Sequence, residues 1–466
     1  MKINSSKIVF TFIFLISVLL FFSDPPIGVD GQVMRGAAVI VLAIGLWSTA
    51  VLPSSFGSLI FLFVAVVLSV APPKIVFSGF HSGATWLVFG GLILGLGVKK
   101  TGLDTRFVRS LLANFPKTYV GMIYGIFWIG TSLAFIIPSA SGRVALLVPI
   151  MIALARELGF NDRSTSFGKG RTGLILAATM GTMVPAFNIL PANVPNMALY
   201  GAVDNVLNIQ LTFTEYIWLN FPVMGFFPLI VYPAVIALLF WDTPRYEEPK
   251  QHSNLWSGQE RRLLIILSIA LVLWMTDSFH GISPAWISLG AAILCLLPRV
   301  GMLSPTVIGE DINYSPVLFL AGVIGLGAVA NHVGLGTLIA ENILNILDLD
   351  RGNDFQNYVS ISITGMIIGL FTTMPAQPPI MVAMTSVLAE ATGWSQLSII
   401  MTSITAWGVF PFFYQAPPVV VAVALGNLKI SDVTKMLLVY MMIGIFMKLP
   451  LHFLWGQYVG KFVVVN

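Results

Sequence analysis

Apolar stretches long enough to cross a bilayer recur along this chain, separated by short polar segments. The hydropathy pattern predicts spans near residues 8–22, 35–51, 54–71, 85–99, 172–199, 215–240, 262–276, 282–298, 315–331, 397–424 and 432–456, about 11 helical crossings of the usual length. Two further apolar segments, 119–158 and 355–390, fit no single crossing. Each is long enough for two helices, and each carries Pro and Gly at its middle with almost no charge; the first reads FIIPSASGRVALLVPI over 135–150. A hairpin that enters the membrane and returns to the same side fits both better than one kinked helix. The spans 172–199 and 397–424 are themselves interrupted, by GTMVPAFNILPANVPN (181–196) and FPFFYQAPP (410–418). The fold class this predicts is an all-α polytopic membrane protein with re-entrant helical hairpins and broken transmembrane helices.

Composition agrees. Of 466 residues, 57% are hydrophobic and 9% charged, where a soluble domain carries about 25% charged residues. Such a chain cannot cover itself with a polar surface. Strand-type alternation in segments of about ten residues is not seen, which argues against an outer-membrane barrel. Cys295 stands alone in an apolar run, so no intrachain disulfide is expected. The first apolar run, IVFTFIFLISVLLFF, follows Lys2 and Lys7 but is followed by SDPPIG rather than a small-residue cleavage site, and it reads as a retained span.

Charge then sets the orientation. With the N-terminus cytoplasmic and both hairpins re-entrant, Lys99, Lys100, Arg106, Arg156, Lys169, Arg171, Arg261, Arg262 and Arg299 fall inside with most other basic residues. Only Arg35, Lys74, Arg351 and Lys461 fall outside. That asymmetry follows the positive-inside rule; reading one hairpin as a single crossing inverts the loops after it and destroys the bias. The net charge of +4 belongs to loops beside the membrane and gives no sign of a nucleic-acid partner.

The chain also repeats itself. FGGLILGLGVKKTGL (89–103) answers LAGVIGLGAVANHVGL (320–335), with Gly90, Gly95, Gly102 and Leu103 matching Gly322, Gly327, Gly334 and Leu335 at a constant offset of 232. Downstream, each half continues with a broken hairpin and then a span broken by prolines. Under the topology above the two units start on opposite sides. Inverted repeats with paired broken helices mark secondary transporters, with the solute site between the breaks.

Helix ends at membrane depth leave N–H and C=O groups without helical partners. In hydrocarbon each costs several kcal/mol, so such breaks persist where they line a cavity or bind something. Helix N-termini suit anions, and the carbonyls of C-termini suit cations. Four stretches qualify: 138–143, 181–196, 372–379 and 410–418. They supply the candidate substrate ligands Ser139, Ser141, Arg143, Asn193, Asn196, Thr373, Gln377, Tyr414 and Gln415. The candidate coupling-ion ligands are Ser139, Gly181, Thr182, Asn188, Thr372 and Ala376. Ser, Asn and Thr also serve simply as caps and turn formers.

Arg143 is the ionised side chain at these breaks. Either it faces the anion, with the bidentate geometry that suits a carboxylate or sulfate, or it snorkels into cytoplasmic water. Asp277 and His280 read as solvated residues at the outer end of a span, and Lys448 and His452 as lying near the end of the last one. No Asp or Glu sits at a break, which speaks against a buried carboxylate relay. No Ser/His/Asp set, HExxH or CxxC appears, so an enzyme is not expected. No cofactor is expected, and the metal expected near the hairpin tips is sodium alone.

The residues WLVFGGLILGLGVKKTGL, IPSASGRVALLVPI, the ANVPN break and FYQAPPVVVAVALGNLKISD resemble the divalent anion:sodium symporter family over nearly the whole length. The resemblance implies a carrier of dicarboxylates, citrate or sulfate, coupled to sodium. It implies a homodimer in the inner or plasma membrane, with an elevator-type division. Residues 1–117 (spans 1–4) and 241–352 (a cytoplasmic linker and spans 7–9) would form the scaffold. Residues 118–240 (the inward hairpin with spans 5 and 6) and 353–466 (the outward hairpin with spans 10 and 11) would form the moving transport domain. Family hairpin tips typically read Ser-Asn-Thr. Here Ser139, Ala140 and Ser141 stand in the first tip, with Arg143 matching an arginine that some members carry, and Pro375, Ala376 and Gln377 stand in the second. The function expected is secondary-active symport of a small di- or trivalent anion with sodium or a proton. The alternatives are a cation/proton antiporter of the same architecture and, further off, a membrane-embedded enzyme.

Overall fold

The computed structural model describes residues 5–465 except 50, 104–105, 107–115, 117, 136, 138, 161–167, 245–255, 345, 348 and 373. Among the described residues the regular structure is helical, and no strand forms beyond one isolated bridge between Trp394 and Val464. The first part holds α1 (Ser5–Phe22), α2 (Gly31–Thr49), α3 (Ser54–Val67) and α4 (Gly83–Thr101). Then come α5 (Tyr119–Ala134), α6 (Ala140–Glu157), α7 (Lys169–Met183), α8 (Val194–Leu207) and the long α9 (Phe213–Leu239). The second part has α10 (Gly258–Met275), α11 (Pro284–Leu296), α12 (Ser315–His332) and α13 (Leu335–Leu344). It ends with α14 (Asp354–Phe371), α15 (Gln377–Thr392), α16 (Gln396–Trp407), α17 (Pro417–Gly426) and the long α18 (Ile430–Tyr458).

Four of these, α2, α9, α12 and α18, have both the length and the hydropathy to cross a bilayer unaided. Large apolar side chains such as Phe22, Phe63, Trp218 and Leu238 stand exposed on the outer surface, as lipid-facing residues do. The helices start where short polar side chains cap them: Ser82 accepts from Ala84 N, Thr118 from Gly121 N and Ser395 from Ser398 N. The last two-residue matches of the repeat have a backbone cause. Gly102 ends α4 and Gly334 follows α12, both at φ +75°, a conformation only glycine adopts without strain.

The order helix pair, interrupted helix, long helix occurs twice, as α5–α6, α7–α8, α9 and as α14–α15, α16–α17, α18. The halves exchange contacts reciprocally. Helix α3 packs on α12, and α11 on α4; α8 packs on α15, and α17 on α6. The exchange reaches single atoms. Ser58 Oγ of α3 donates to Phe319 O of α12 at 3.4 Å, and Ser288 Oγ of α11 donates to Leu87 O of α4 at 3.2 Å. Phe319 and Leu87 lie 232 positions apart, as do Gly322 and Gly90. A Cβ on either of those glycines would sit 2.6 Å from the Oγ of Ser58 or Ser288, respectively. Close approach through small residues is how helices associate where lipid removes the hydrophobic drive.

Within the first half the same device is pushed further. A Cβ at Gly130 would lie 2.7 Å from Thr182 N, and one at Gly181 would lie 2.5 Å from Phe127 O. Helices α5 and α7 therefore touch backbone to backbone, and Thr131 Oγ1 donates across to Gly181 O at 2.9 Å.

The long helices are not regular α throughout. Each contains a π turn, Phe221–Phe226 in α9 and Gly444–Lys448 in α18. Each π turn is followed two residues on by a proline, Pro228 and Pro450. Proline removes a helical donor and its ring presses on the carbonyl four residues back; widening the preceding turn relieves that clash. Single π turns in long helices are frequent at functional sites.

Candidate functional site

The first interrupted helix is unwound over ten residues. Helix α7 ends at Met183, two short 3₁₀ turns follow (Pro185–Asn188 and Leu190–Ala192), and α8 starts at Val194 with Asn193 as its cap. Three prolines, Pro185, Pro191 and Pro195, prevent a continuous ladder. The carbonyls freed by the unwinding are recovered by one buried amide: Asn196 Nδ2 donates to Ala186 O at 2.9 Å and to Ile189 O at 2.7 Å. The segment is buried throughout, so this recovery is obligatory rather than decorative.

Arg143 lies beside it in the first turn of α6 and is 0% exposed. It does not reach water. Its Nε donates to Thr182 Oγ1 at 2.9 Å, Nη2 to Thr182 O at 2.8 Å, and Nη1 to Ala192 O at 2.9 Å and to Ile137 O. Those carbonyls come from the tip between α5 and α6, the end of α7 and the unwound segment. One guanidinium thus takes up the free carbonyls of three helix interruptions, and Thr182 Oγ1 passes on a further bond to Gly130 O at 3.1 Å.

The second half is assembled from different side chains. Gln377, at the start of α15, accepts from Trp407 Nε1 at 3.1 Å. The Trp407 ring lies 5.9 Å from that of Phe187 in the first break, so the two breaks are in contact. Gln415 ties the second break to α14: its Nε2 donates to Gly369 O at 2.8 Å, and its Oε1 accepts from Phe412 N at 3.1 Å.

Between the breaks lies a tight crevice that leaves no room for a free water molecule. Its walls are Val184, Phe187 and Asn188 from the first break, Ile404 and Gly408 from the end of α16, Met224 from the π turn of α9, and Tyr440 and Lys448 from α18. Both helix interruptions and both π turns therefore meet at one place. Lys448 is 1% exposed. Its Nζ stands 4.4 Å from the centre of the Tyr440 ring and 5.4 Å from that of Tyr232, and a Cβ at Gly408 would lie 2.9 Å from it. Ten buried polar side-chain atoms have no hydrogen-bond partner among the described residues. Four of them belong to the breaks: Asn188 Oδ1, Asn193 Nδ2, Asn196 Oδ1 and Gln377 Nε2. A fifth, Tyr232 Oη, belongs to a ring beside Lys448.

The sequence-predicted ligands thus divide. Asn188, Asn193, Asn196 and Gln377 are buried with polar atoms to spare. Ser139 caps α6, accepting from Gly142 N at 3.1 Å, and Ser141 is half-buried beside it. Thr372 Oγ1 is returned to its own helix at Ile368 O, and Ala376 is buried at the second tip. Gly181 and Thr182 serve the α5–α7 contact and Arg143. Thr373 and the Tyr414 side chain lie outside the described residues.

Two placements differ from the sequence reading. Lys448 does not lie near the end of the last span; α18 continues ten residues past it, and it joins Arg143 as a second ionisable side chain at the breaks. Asp277 is not solvated but 3% exposed, accepting from Phe213 N at 2.5 Å and Thr214 Oγ1 at 2.9 Å and so capping α9. The missed signal for Lys448 was Pro450 in an otherwise apolar run, which forces the π turn that the lysine closes.

Paired interrupted helices around a buried polar crevice, within an all-helical body edged by exposed apolar side chains, define a multi-pass membrane transporter. The chain matches the model of the sodium:sulfate symporter transmembrane region over residues 4–462, and it belongs to that family. Its relatives include the inner membrane protein YbhI of Escherichia coli K12, 22% identical over 76% of this chain and 76% of that one. Another is an L-tartrate/succinate antiporter of Escherichia coli UTI89, 24% identical over 57% of each. A third is the chloroplastic dicarboxylate transporter 1 of Spinacia oleracea, 22% identical over 72% of this chain and 60% of its own. Among solved structures, Neisseria gonorrhoeae MtrF superposes with a TM-score of 0.54 at 14% identity, covering 95% of this chain and 97% of that one. The Alcanivorax borkumensis YdaH transporter reaches 0.50 at 13%, over 93% and 99%; both likenesses are of fold alone. The family is one of transporters, and the chain is not an enzyme. The family and the YbhI relative support a multi-pass location in the inner membrane.

Proposed function

We propose that this protein is a secondary-active carrier of small di- or trivalent anions of the dicarboxylate, citrate or sulfate class. The observation that carries the reading is the crevice where both helix interruptions and both π turns meet, lined in part by Asn188, whose Oδ1 is buried without a partner. Unsatisfied buried polar atoms are costly, and a bound polar solute is what would repay them. Asn193, Asn196 and Gln377 sit at the starts of α8 and α15, where partial positive charge favours an anion; we assign them, with Asn188, to the substrate. Ser139, Ser141 and Gln415 line the rest of the path in this reading, and Thr373 and Tyr414 are assigned to the substrate from the sequence alone. Arg143 holds the frame, and Gly181, Thr182, Thr372 and Ala376 surround the place a coupling cation would pass. That relatives are named for tartrate, succinate and dicarboxylate supports the substrate class.

The pairs α5–α6 and α14–α15 are re-entrant hairpins in this proposal, the two halves are inverted repeats, and about 11 spans cross the membrane from a cytoplasmic N-terminus. The reciprocal Ser58 and Ser288 bonds support the repeat. Residues 118–240 and 353–466 form the moving part, and 1–117 and 241–352 the scaffold that pairs with a second copy. A closed crevice suits one stage of alternating access.

The test is a thermal-shift screen of detergent-solubilised protein against sulfate, succinate and citrate, each in sodium and in potassium, followed by uptake into proteoliposomes. A substrate raises the unfolding temperature with dose, because binding to the native state alone stabilises it. If no anion of this class shifts the transition or is taken up, the reading fails.

A further inference from the structure

We propose that Lys448 is the positive charge of the anion site and that it takes up one proton with each anion carried, so that transport is linked to protons through this amine. The proposal rests on the anion-carrier reading above. Nζ lines the crevice between the two breaks, beside the end of α16 at Gly408. The negative end of the α16 helix dipole favours a cation, and the faces of Tyr440 and Tyr232 add to that. No carboxylate shares the site. Among the described residues the buried acids are Glu260 and Asp277, and both are engaged elsewhere, Glu260 with Arg106 at 2.6 Å and Asp277 at the start of α9. A buried ammonium with no counter-anion is expensive. A bound divalent anion supplies the missing charge.

The other titratable groups facing Lys448 are accounted for. Tyr440 Oη donates to Trp407 O at 2.8 Å. Tyr232 presents its ring and an unpartnered hydroxyl, a further donor for the anion. His452 lies one helical turn on, with both ring nitrogens spent: Nε2 on Asn220 Oδ1 at 3.1 Å and Nδ1 on the Tyr358 hydroxyl at 2.7 Å. Asn220 Nδ2 already donates to Tyr216 O at 2.8 Å, so its oxygen accepts, the histidine donates from Nε2, and Nδ1 accepts from tyrosine. That satisfied tautomer leaves the lysine as the proton acceptor. In the cycle the neutral amine takes a proton from outside water to become the ammonium, the anion binds beside it, and both leave on the cytoplasmic side. The empty carrier returns as the amine.

Proteoliposomes with the membrane potential clamped at zero test this, using labelled succinate, citrate and sulfate as probes. The wild type should accumulate one of them when the outside is acid, about tenfold per unit of pH gradient for one proton per anion, with potassium replacing sodium at no loss. Lys448→Arg, permanently charged, should keep anion counterflow and lose proton-driven accumulation. Lys448→Met should lose both, and Lys448→His should keep accumulation with its half-maximal pH moved to the acid side. A monodisperse elution profile and an unchanged unfolding temperature verify folding. Accumulation driven by sodium and not by pH, or pH-driven accumulation surviving in Lys448→Met, overturns the proposal. Wild-type counterflow indifferent to pH would overturn it while leaving the anion-carrier reading intact; no counterflow of any probe would remove both.

Discussion

Two buried basic side chains stand at the interruptions of this fold, and their surroundings differ completely. Arg143 is bound into the protein: its guanidinium makes four hydrogen bonds, each to a carbonyl or hydroxyl of the chain. Lys448 has two ring faces and the end of α16 beside its amine, and it lines the crevice. A basic group whose donors are mostly spent on the protein is part of the frame; one left without a hydrogen-bond partner is available to a solute. Both are buried and both are basic, so neither property separates structure from function here. The partner list does.

The largest effect should come from breaking the hydrogen-bonded site. Arg143→Ala strips partners from Ile137 O, Thr182 O and Ala192 O at once, at about 1–3 kcal/mol for each buried acceptor. We expect little monodisperse protein by size exclusion, with partial recovery in Arg143→Lys. A variant as stable as the wild type would dissolve the contrast with Lys448. At the open site the reverse should hold. Lys448→Met replaces a buried amine that has no hydrogen-bond partner by an apolar chain of similar length, which removes the cost of an unsatisfied buried polar group. Its unfolding temperature should match or exceed that of the wild type while anion flux vanishes.

Two smaller changes sharpen the division. Gly181→Leu drives a side chain into Phe127 O, and overpacking of this kind costs about 1–3 kcal/mol; differential scanning fluorimetry should show the loss directly. Asn188→Ala deletes an amide whose Nδ2 bonds are long, 3.4 and 3.5 Å, and whose Oδ1 is free. Stability should move by less than about 1 kcal/mol, whereas half-saturating anion concentration should rise. A large stability loss with unaltered affinity would put Asn188 in the frame instead. The smallest effects belong to Ser58→Ala and Ser288→Ala. Each removes a hydroxyl bond between the halves, at about 0.5 kcal/mol; the Ser58 hydroxyl is shared with Ser54 O at 3.2 Å, so Ser58→Ala should cost the less, and the reverse order would count against the reciprocal contact.

Much of this was legible in the residues. Pro and Gly in otherwise apolar runs marked the breaks, and the constant offset of 232 picked out glycines that each meet a serine of the other half. The interrupted helices fall where GTMVPAFNILPANVPN and FPFFYQAPP stand. What a sequence cannot display is which acceptor a side chain finds. The partners of Arg143 are mostly backbone carbonyls, which carry no sequence identity and become free only when three separate segments unwind near one another. Lys448 was obscured for another reason: a lysine eight residues before the end of a span looks like one that reaches the headgroups. The π turn before Pro450 aims it inward instead. Asp277 was misplaced because its acceptors are satisfied by the start of α9, more than sixty residues earlier in the chain.

The widened turn in α18 stores one residue more than an ordinary helix needs. Were that surplus handed along the chain, the segment beyond it would swivel by roughly a hundred degrees, the angle per residue of a helix with 3.6 residues per turn. His452 would then leave Asn220 and Tyr358 together, uncoupling α18 from both α9 and α14 in a single slip. Deleting one amino acid between Gly444 and Lys448 would lock the rod into that shifted phase for good.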